Sequence, residues 1–293
     1  MKYILSFWSK PLLESRGAEE KLKIQLYFYA KNFNYIKNNI SENIEIVTDD
    51  FGYEKLKHLT SQIRTDLNNI NYFHNDLWAM GKIYALSLYD EPICAIDNDF
   101  FIKDYIKYKE IVNSNWDILV QTKEISPTFS FSYKKGIEVF LALFHNEFIK
   151  NDLIEILYYD MCNYAYNSGH LAFKDFKLKN KFLQKIMKIY HILNDNEKIM
   201  DFYNTCDFFT KRHEHFHTLN INCIAEQVFL TIWANYNNLY VKELAPISKW
   251  EIFNGENNKL NNIQNTSDLY IHYAGQENKV KFKEKDFNEN IRV

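Results

Sequence analysis

The run CAIDNDFFIKD spans Cys94 to Asp104 and sets Asp97, Asn98 and Asp99 directly after an apolar climb from Ile93 to Ile96. A short apolar run that ends on polar residues reads as a buried strand reaching its carboxyl edge. Two carboxylates one residue apart repel each other, so they either stay in water or share a cation. In extended chain, residues i and i+2 point to the same side. Asp97 and Asp99 can therefore face one ion, and hard oxygen ligands suit Mg²⁺, Mn²⁺ or Ca²⁺. A solvated acidic turn is the plainer alternative, and the strand in front of it favours the metal.

Working outward, the first half alternates two periodicities. Tyr3 to Trp8 and Ile44 to Thr48 are short apolar runs of strand type, and the second ends on Asp49, Asp50 and Gly52. Between them, Leu22, Leu26, Tyr29, Phe33 and Ile36 recur at helical spacing across Ala18 to Asn38. A short helix over Tyr53 to Leu59 and a stronger one over Leu77 to Leu88, capped by Asn75 or Asp76, come before the strand Pro92 to Ile96. Another strand runs from Ile118 to Gln121. Strands alternating with helices predict parallel βαβ units, whose ligands sit at the carboxyl ends of the strands. Asp49, Asp50, Asp97 and Asp99 all fall at such ends.

The second half is more helical, with helices expected over Lys134 to Phe144, Phe176 to Leu193, Glu197 to Phe209 and Cys223 to Trp233, and a late strand at Leu269 to Tyr273. No linker-like stretch or repeat interrupts the 293 residues. A single α/β domain is expected, with 1–125 as its ligand-binding half and 126–293 as the half facing a second substrate. The aromatic runs YFYAKNFNY and LYYDMCNYAY read as core at helical spacing.

Bulk properties narrow the function. Lys+Arg 35 against Asp+Glu 38 leaves a net charge of -3, which argues against nonspecific nucleic-acid binding. The four cysteines have no zinc spacing and read as free or buried thiols of a reducing compartment. The N-terminal MKYILSFWSKP is too short an apolar run for a signal peptide, and no stretch of about 18 apolar residues suggests a membrane span. A cytoplasmic protein is expected, with peripheral attachment at the inner face of a membrane left open.

Strand–Asp-x-Asp in an α/β chain resembles the nucleotide-sugar glycosyltransferases of the GT-A fold, a Rossmann-like, mostly parallel sheet flanked by helices. Further stretches are similar to glycosyltransferase family 8 enzymes in the same order. Ser6 and Trp8 end the first strand, where the resemblance implies nucleotide base and ribose contacts. Lys82 lies one element before the acidic motif and would meet the donor phosphates or sugar. Asn167-Ser168-Gly169 resembles the family's Asn-x-Gly-like turn beside the donor sugar. Glu226-Gln227 resembles its acidic-Gln pair near the reacting carbon, with Glu where Asp is usual. His272-Tyr273-Ala274-Gly275 followed by Lys279 resembles the H-x-x-G-x-x-K element, with Lys279 one residue late and no Pro-Trp after it.

The resemblance implies Mn²⁺ or Mg²⁺ held by Asp97, Asp99 and His272 against a diphosphate, with Asn98, Gly275 and Lys279 also on the donor. The implied activity is hexosyl transfer, from a UDP-sugar by preference, to a hydroxyl of a glycan, lipid-linked or protein acceptor. Asp49 and Asp50 suit helix capping as well as base or ribose recognition. Lys82 could equally be a solvated helix lysine, Glu226 a carboxylate favoured at a helix start, and Asn167 and Gly169 a plain turn. Two other functions stay open, a noncatalytic nucleotide-sugar-binding module and a sugar nucleotidyltransferase. The latter would want a Gly-rich loop after the first strand, where SFWSKPLLESRG has Gly17 alone. His213, His215 and His217 alternate, so in extended chain they would share a side and could meet a transition metal, but a polar loop is the plainer reading and acceptor contact another.

Overall fold

The computed structural model describes residues 1–15, 17–125, 127–159, 164–211, 220–245, 249–252, 263–266 and 269–273. The first half contains β1 (Lys2–Phe7), α1 (Lys10–Leu13), α2 (Ala18–Asn39), β2 (Ile44–Thr48), α3 (Asp50–Leu56), β3 (Ile63–Arg64), a 3₁₀ turn, α4 (Met80–Ser87), β4 (Ile93–Ile96), β5 (Phe100–Ile102), α5 (Tyr105–Asn113) and β6 (Ile118–Glu124). There follow α6 (Pro127–Lys150), α7 (Ile154–Tyr159), β7 (Ala165–Phe173), α8 (Phe176–Leu193), α9 (Asn196–Thr210), a π-helical stretch Cys223–Val228, α10 (Phe229–Tyr236), β8 (Val241–Glu243), β9 (Lys249–Ile252), β10 (Ile263–Thr266) and β11 (Tyr270–Tyr273).

The main sheet runs β3-β2-β1-β4-β7-β6-β8. β3, β2, β1 and β4 are parallel, β7 is antiparallel to both its neighbours, and β8 is parallel to β6. This is the mostly parallel α/β sheet between helices, with a helical second half, that the GT-A resemblance implies.

Both faces of the sheet are dry, which is why its central strands read as unbroken apolar runs. Along β4 the side chains alternate between two cores. Ile93 and Ala95 join the one built with α4, α8 and α10, while Cys94 and Ile96 join the one built with α2 and α5. The same parity carried past the strand end sends Asp97 toward α4. It sends Asn98 the other way, where its amide donates to the Gln25 side chain of α2. From the same helix, Asn32 donates to the carbonyls of Asp97 and Phe100, each at 3.0 Å, and so ties down the turn.

A second, antiparallel sheet, β5-β11-β10-β9, begins where the acidic motif ends. β11 pairs with β5 so that His272 lies opposite Phe100. This pairing brings a histidine from the end of the chain beside Asp99.

Several expected elements differ. α4 starts later than Leu77, and neither Asn75 nor Asp76 caps it with a side chain. The Asn167–Gly169 segment is not a turn but lies inside the nine-residue strand β7. Its flanking pairings bury it, and a local turn signal cannot report those. LYYDMCNYAY is not one helical stripe, because it is split between α7 and β7, with Tyr158 and Tyr159 exposed. YFYAKNFNY does pack as core, burying Phe28, Tyr29, Phe33 and Tyr35. Cys94, Cys206 and Cys223 are free thiols. Cys162, the histidines 213, 215 and 217, Gly275 and Lys279 lie outside the described residues. Among the described residues no helix is long and apolar enough to cross a membrane.

His170 in β7 is fully buried, with Nε2 at 2.9 Å from the Tyr108 hydroxyl and 3.1 Å from Cys94 Sγ. Burial penalises the imidazolium and pushes its pKa from 6.5 down to about 3. The neutral ring therefore adds stability that is complete above the unfolded-state value and is lost as pH falls from there toward 3. The slope is about 1.4 kcal/mol per pH unit. His170→Asn is expected to flatten this acid limb in thermal melts between about pH 7 and pH 4. Parallel curves for the two proteins would place the acid sensitivity elsewhere.

Candidate functional site

The site forms at the carboxyl edge of the sheet, where β4 gives way to Asp97. The ligand atoms of Asp97, Asp99 and His272 lie within 4.8 Å of one another. His272 Nε2 is 3.5 Å from Asp99 Oδ1, and both residues are buried. His272 Nδ1 is also buried and has no hydrogen-bond partner among the described residues. Buried polar atoms are seldom left unpaired. Two hard oxygens and one imidazole nitrogen make a donor set that fits Mn²⁺ or Mg²⁺.

Lys82 meets this cluster from α4. Although charged, it is only 5% exposed. Its Nζ lies 3.0 Å from Asp97 Oδ1 and 2.8 Å from Glu226 Oε1, and it donates to the Ser168 carbonyl at 2.9 Å. Burial by itself opposes the ammonium, but Asp97 and Glu226 together outweigh it and hold the lysine pKa above its usual range. Lys82 is thus no solvated surface lysine. Glu226 is 2% exposed, and burial raises its carboxyl pKa while Lys82 pulls the other way. The residue sits in the π-helical stretch, where a widened turn replaces the expected α-helix. Such bulges are frequent at functional sites. Gln227, next to it, is partly exposed.

Both ends of α4 are held by the second half of the chain. Asn222 accepts from Ala79 N–H at 3.1 Å and donates to the Asp76 carbonyl at 2.6 Å, so the cap comes from far along the sequence. At the other end the buried Lys179 ammonium donates to the carbonyls of Leu86 and Tyr89. These contacts lock Lys82 and Glu226 into one frame. Gly81 lets the helix approach β1, since a Cβ there would lie 2.9 Å from Trp8 Cβ.

Trp8 is buried, and its indole N–H donates to Asn71 Oδ1 at 2.8 Å. Ser6 is partly exposed and its carbonyl accepts from the Tyr29 hydroxyl. Asp49 acts as the cap of α3. Its Oδ1 accepts from Gly52 N–H at 2.9 Å, and its Oδ2 accepts from the backbone and hydroxyl of Ser9, both at 2.7 Å. Asn167 is engaged at both ends of its amide, with Glu124 at 2.8 Å and Gly169 N–H at 2.9 Å.

Sequence reasoning missed Glu124, Asn222 and Tyr133, and the contact that the Ser168 carbonyl makes with Lys82. Only Glu124 carried a signal, since it is a carboxylate a few residues beyond the apolar run Ile118–Val120, at the same sheet edge as Asp97. The others depend on contacts that no local pattern encodes.

A family profile described as "Family of unknown function (DUF6734)" matches residues 1–292. The chain belongs to the DUF6734 family. No curated protein matches this DUF6734 chain. Among solved structures it is similar to the galactosyltransferase LgtC in complex with donor and acceptor sugar analogs. That likeness is 11% identical with a TM-score of 0.36, over 78% of this chain and 70% of the other. It is also similar to mouse xyloside xylosyltransferase 1 in its apo form, at 10% identity and a TM-score of 0.38, over 83% and 84% of the two chains. Likenesses this remote fix neither substrate nor chemistry.

Proposed function

We propose that the protein is a metal-dependent glycosyltransferase, of the family 8 kind, that moves a hexose from a nucleotide sugar to an acceptor hydroxyl. A UDP-sugar is the favoured donor, and the acceptor is a glycan, a lipid-linked sugar or a protein. The observation that carries this reading is the meeting of Asp97, Asp99 and His272 at the end of β4, in contact with the buried Lys82–Glu226 pair.

A bound Mn²⁺ or Mg²⁺ would supply charge neutralisation for the departing diphosphate. Asp97, Asp99 and His272 would hold it. Lys82 adds positive charge on the same side, and fixed charges aimed at a developing anion act strongly in a dry site. Glu226 presents a carboxylate toward the reacting carbon, with Gln227 beside it. Ser6, Trp8 and Asp49, at the ends of β1 and β2, form the nucleotide side. Asn98, Asn167 and Gly169 shape the backbone that faces the donor. Gly275 and Lys279 complete the donor set. The whole chain works as one domain, 1–125 on the donor and 126–293 toward the acceptor.

Calorimetry of UDP with Mn²⁺ and with EDTA tests this. Binding is expected with the ion and not with EDTA, and Asp99→Ala should weaken it by about tenfold or more, a loss of at least ~1.4 kcal/mol. UDP binding that ignores both the ion and the substitution, or no nucleotide binding at all, removes the glycosyltransferase reading.

A further inference from the structure

The strand opposite the acidic motif carries an irregularity that the proposed chemistry does not explain. In the β6–β7 ladder, Val120 pairs with Leu171 and the next pair is Thr122 with Asn167. Ser168, Gly169 and His170 therefore bulge against Gln121 alone. The bulge takes two backbone groups out of the β6 ladder. The Ser168 carbonyl accepts from Lys82 at 2.9 Å, and Gly169 N–H is taken by the Asn167 side chain at 2.9 Å. The Gly169 carbonyl then accepts from Asp97 N–H at 2.8 Å. Bulges next to active sites re-aim side chains and need something to hold them.

What holds this one is Glu124, at the end of β6. It is 6% exposed, its Oε1 accepts from Asn167 Nδ2 at 2.8 Å, and its Oε2 accepts from the Tyr133 hydroxyl of α6. We infer that Glu124 is a positioning residue, which fixes Asn167, and through it the Ser168–His170 bulge, so that Asp97 and Lys82 are held where the site needs them. The inference rests on the metal reading proposed above but has its own geometry. An unbroken run of hydrogen bonds leads from α6 through Tyr133, Glu124, Asn167 and Gly169 to Asp97. A carboxylate buried this deeply is costly, and its two oxygens are spent on this run.

The test compares Glu124→Ala, Asn167→Ala, the double variant and Glu124→Gln, with two readouts. In Mn²⁺ titrations each alanine variant is expected to lose about tenfold or more in affinity, as removing a partner behind a metal ligand commonly does. The double variant should be no worse than the poorer single one, because both break the same run. Glu124→Gln keeps an oxygen for Asn167 and should recover most of the affinity. The second readout needs no metal. Hydrogen exchange at the Gly169 and Asp97 amides should be slow in the wild type and in Glu124→Gln, and fast in both alanine variants. Additive losses, no rescue by glutamine, or unchanged amide exchange in Asn167→Ala would overturn the inference. Faster exchange in the alanine variants, together with a wild type that binds no Mn²⁺, would leave the positioning role of Glu124 standing and remove the metal reading alone.

Discussion

Lys82→Met is expected to bind Mn²⁺ more tightly than the wild type while losing the proposed sugar transfer by about 10²–10³-fold. The two effects have one cause. The Lys82 ammonium lies 3.0 Å from Asp97 and 2.8 Å from Glu226, nearly out of contact with water. It is the cation that the acidic motif already has, and it competes with any second one for the Asp97 carboxylate. Charges this close in a poorly solvated site interact far more strongly than on a surface. Without Lys82, Asp97 is left free for an added ion. Glu226, its carboxyl pKa already raised by burial, takes up a proton more readily still. In the chemistry proposed above, the donor phosphates would then lose a positive partner, so the leaving group would be stabilised less even though the ion is held better. Mn²⁺ titration and donor hydrolysis measured on one preparation separate the two. Weaker Mn²⁺ binding in Lys82→Met would mean that the lysine holds Asp97 in place for the ion rather than competing with it.

Gly169→Ala is the second large effect. A Cβ at this position would lie 2.4 Å from Gln121 Oε1, 2.9 Å from His272 Cε1 and 3.2 Å from Asn167 Oδ1. Contacts that short force something to move. His272 is braced by the β11–β5 pairing and by the Phe100 ring, 5.9 Å away edge to face. Overpacking of this sort costs about 1–3 kcal/mol. Its displacement of the imidazole proposed as a ligand should weaken Mn²⁺ binding by about tenfold or more. A melting shift with unchanged Mn²⁺ affinity would take His272 out of the metal set.

These two substitutions also mark how far sequence reading reaches. Glycine at 169 reads locally as a turn, yet its backbone lies in a buried strand. What requires glycine there is the side chain of Gln121 from the neighbouring strand together with the imidazole of His272 from another sheet. Lys82 reads locally as one more helix lysine. Its burial follows from Asn222 and Lys179 gripping both ends of α4, and neither grip has a periodicity or a spacing to betray it. Asp49 shows the opposite case. Its place before a short helix suggests a cap, and the cap is what the side chain forms, together with a link to Ser9.

What the sequence determined by itself was short-ranged. The short apolar runs of the strands, the 3.6-residue period of α2 and α8, and the acidic tip after β4 are all patterns that neighbouring residues set between themselves. The parity that turns Asp97 toward one face and Asn98 toward the other belongs here too. Only the tertiary structure decided that Lys82 meets Glu226, that His272 lies opposite Phe100, and that β7 bulges against Gln121, held by Asn167 and Glu124. Each of these depends on how elements distant in the chain are set against one another, and in the strands a shift of one residue would send every side chain to the other face.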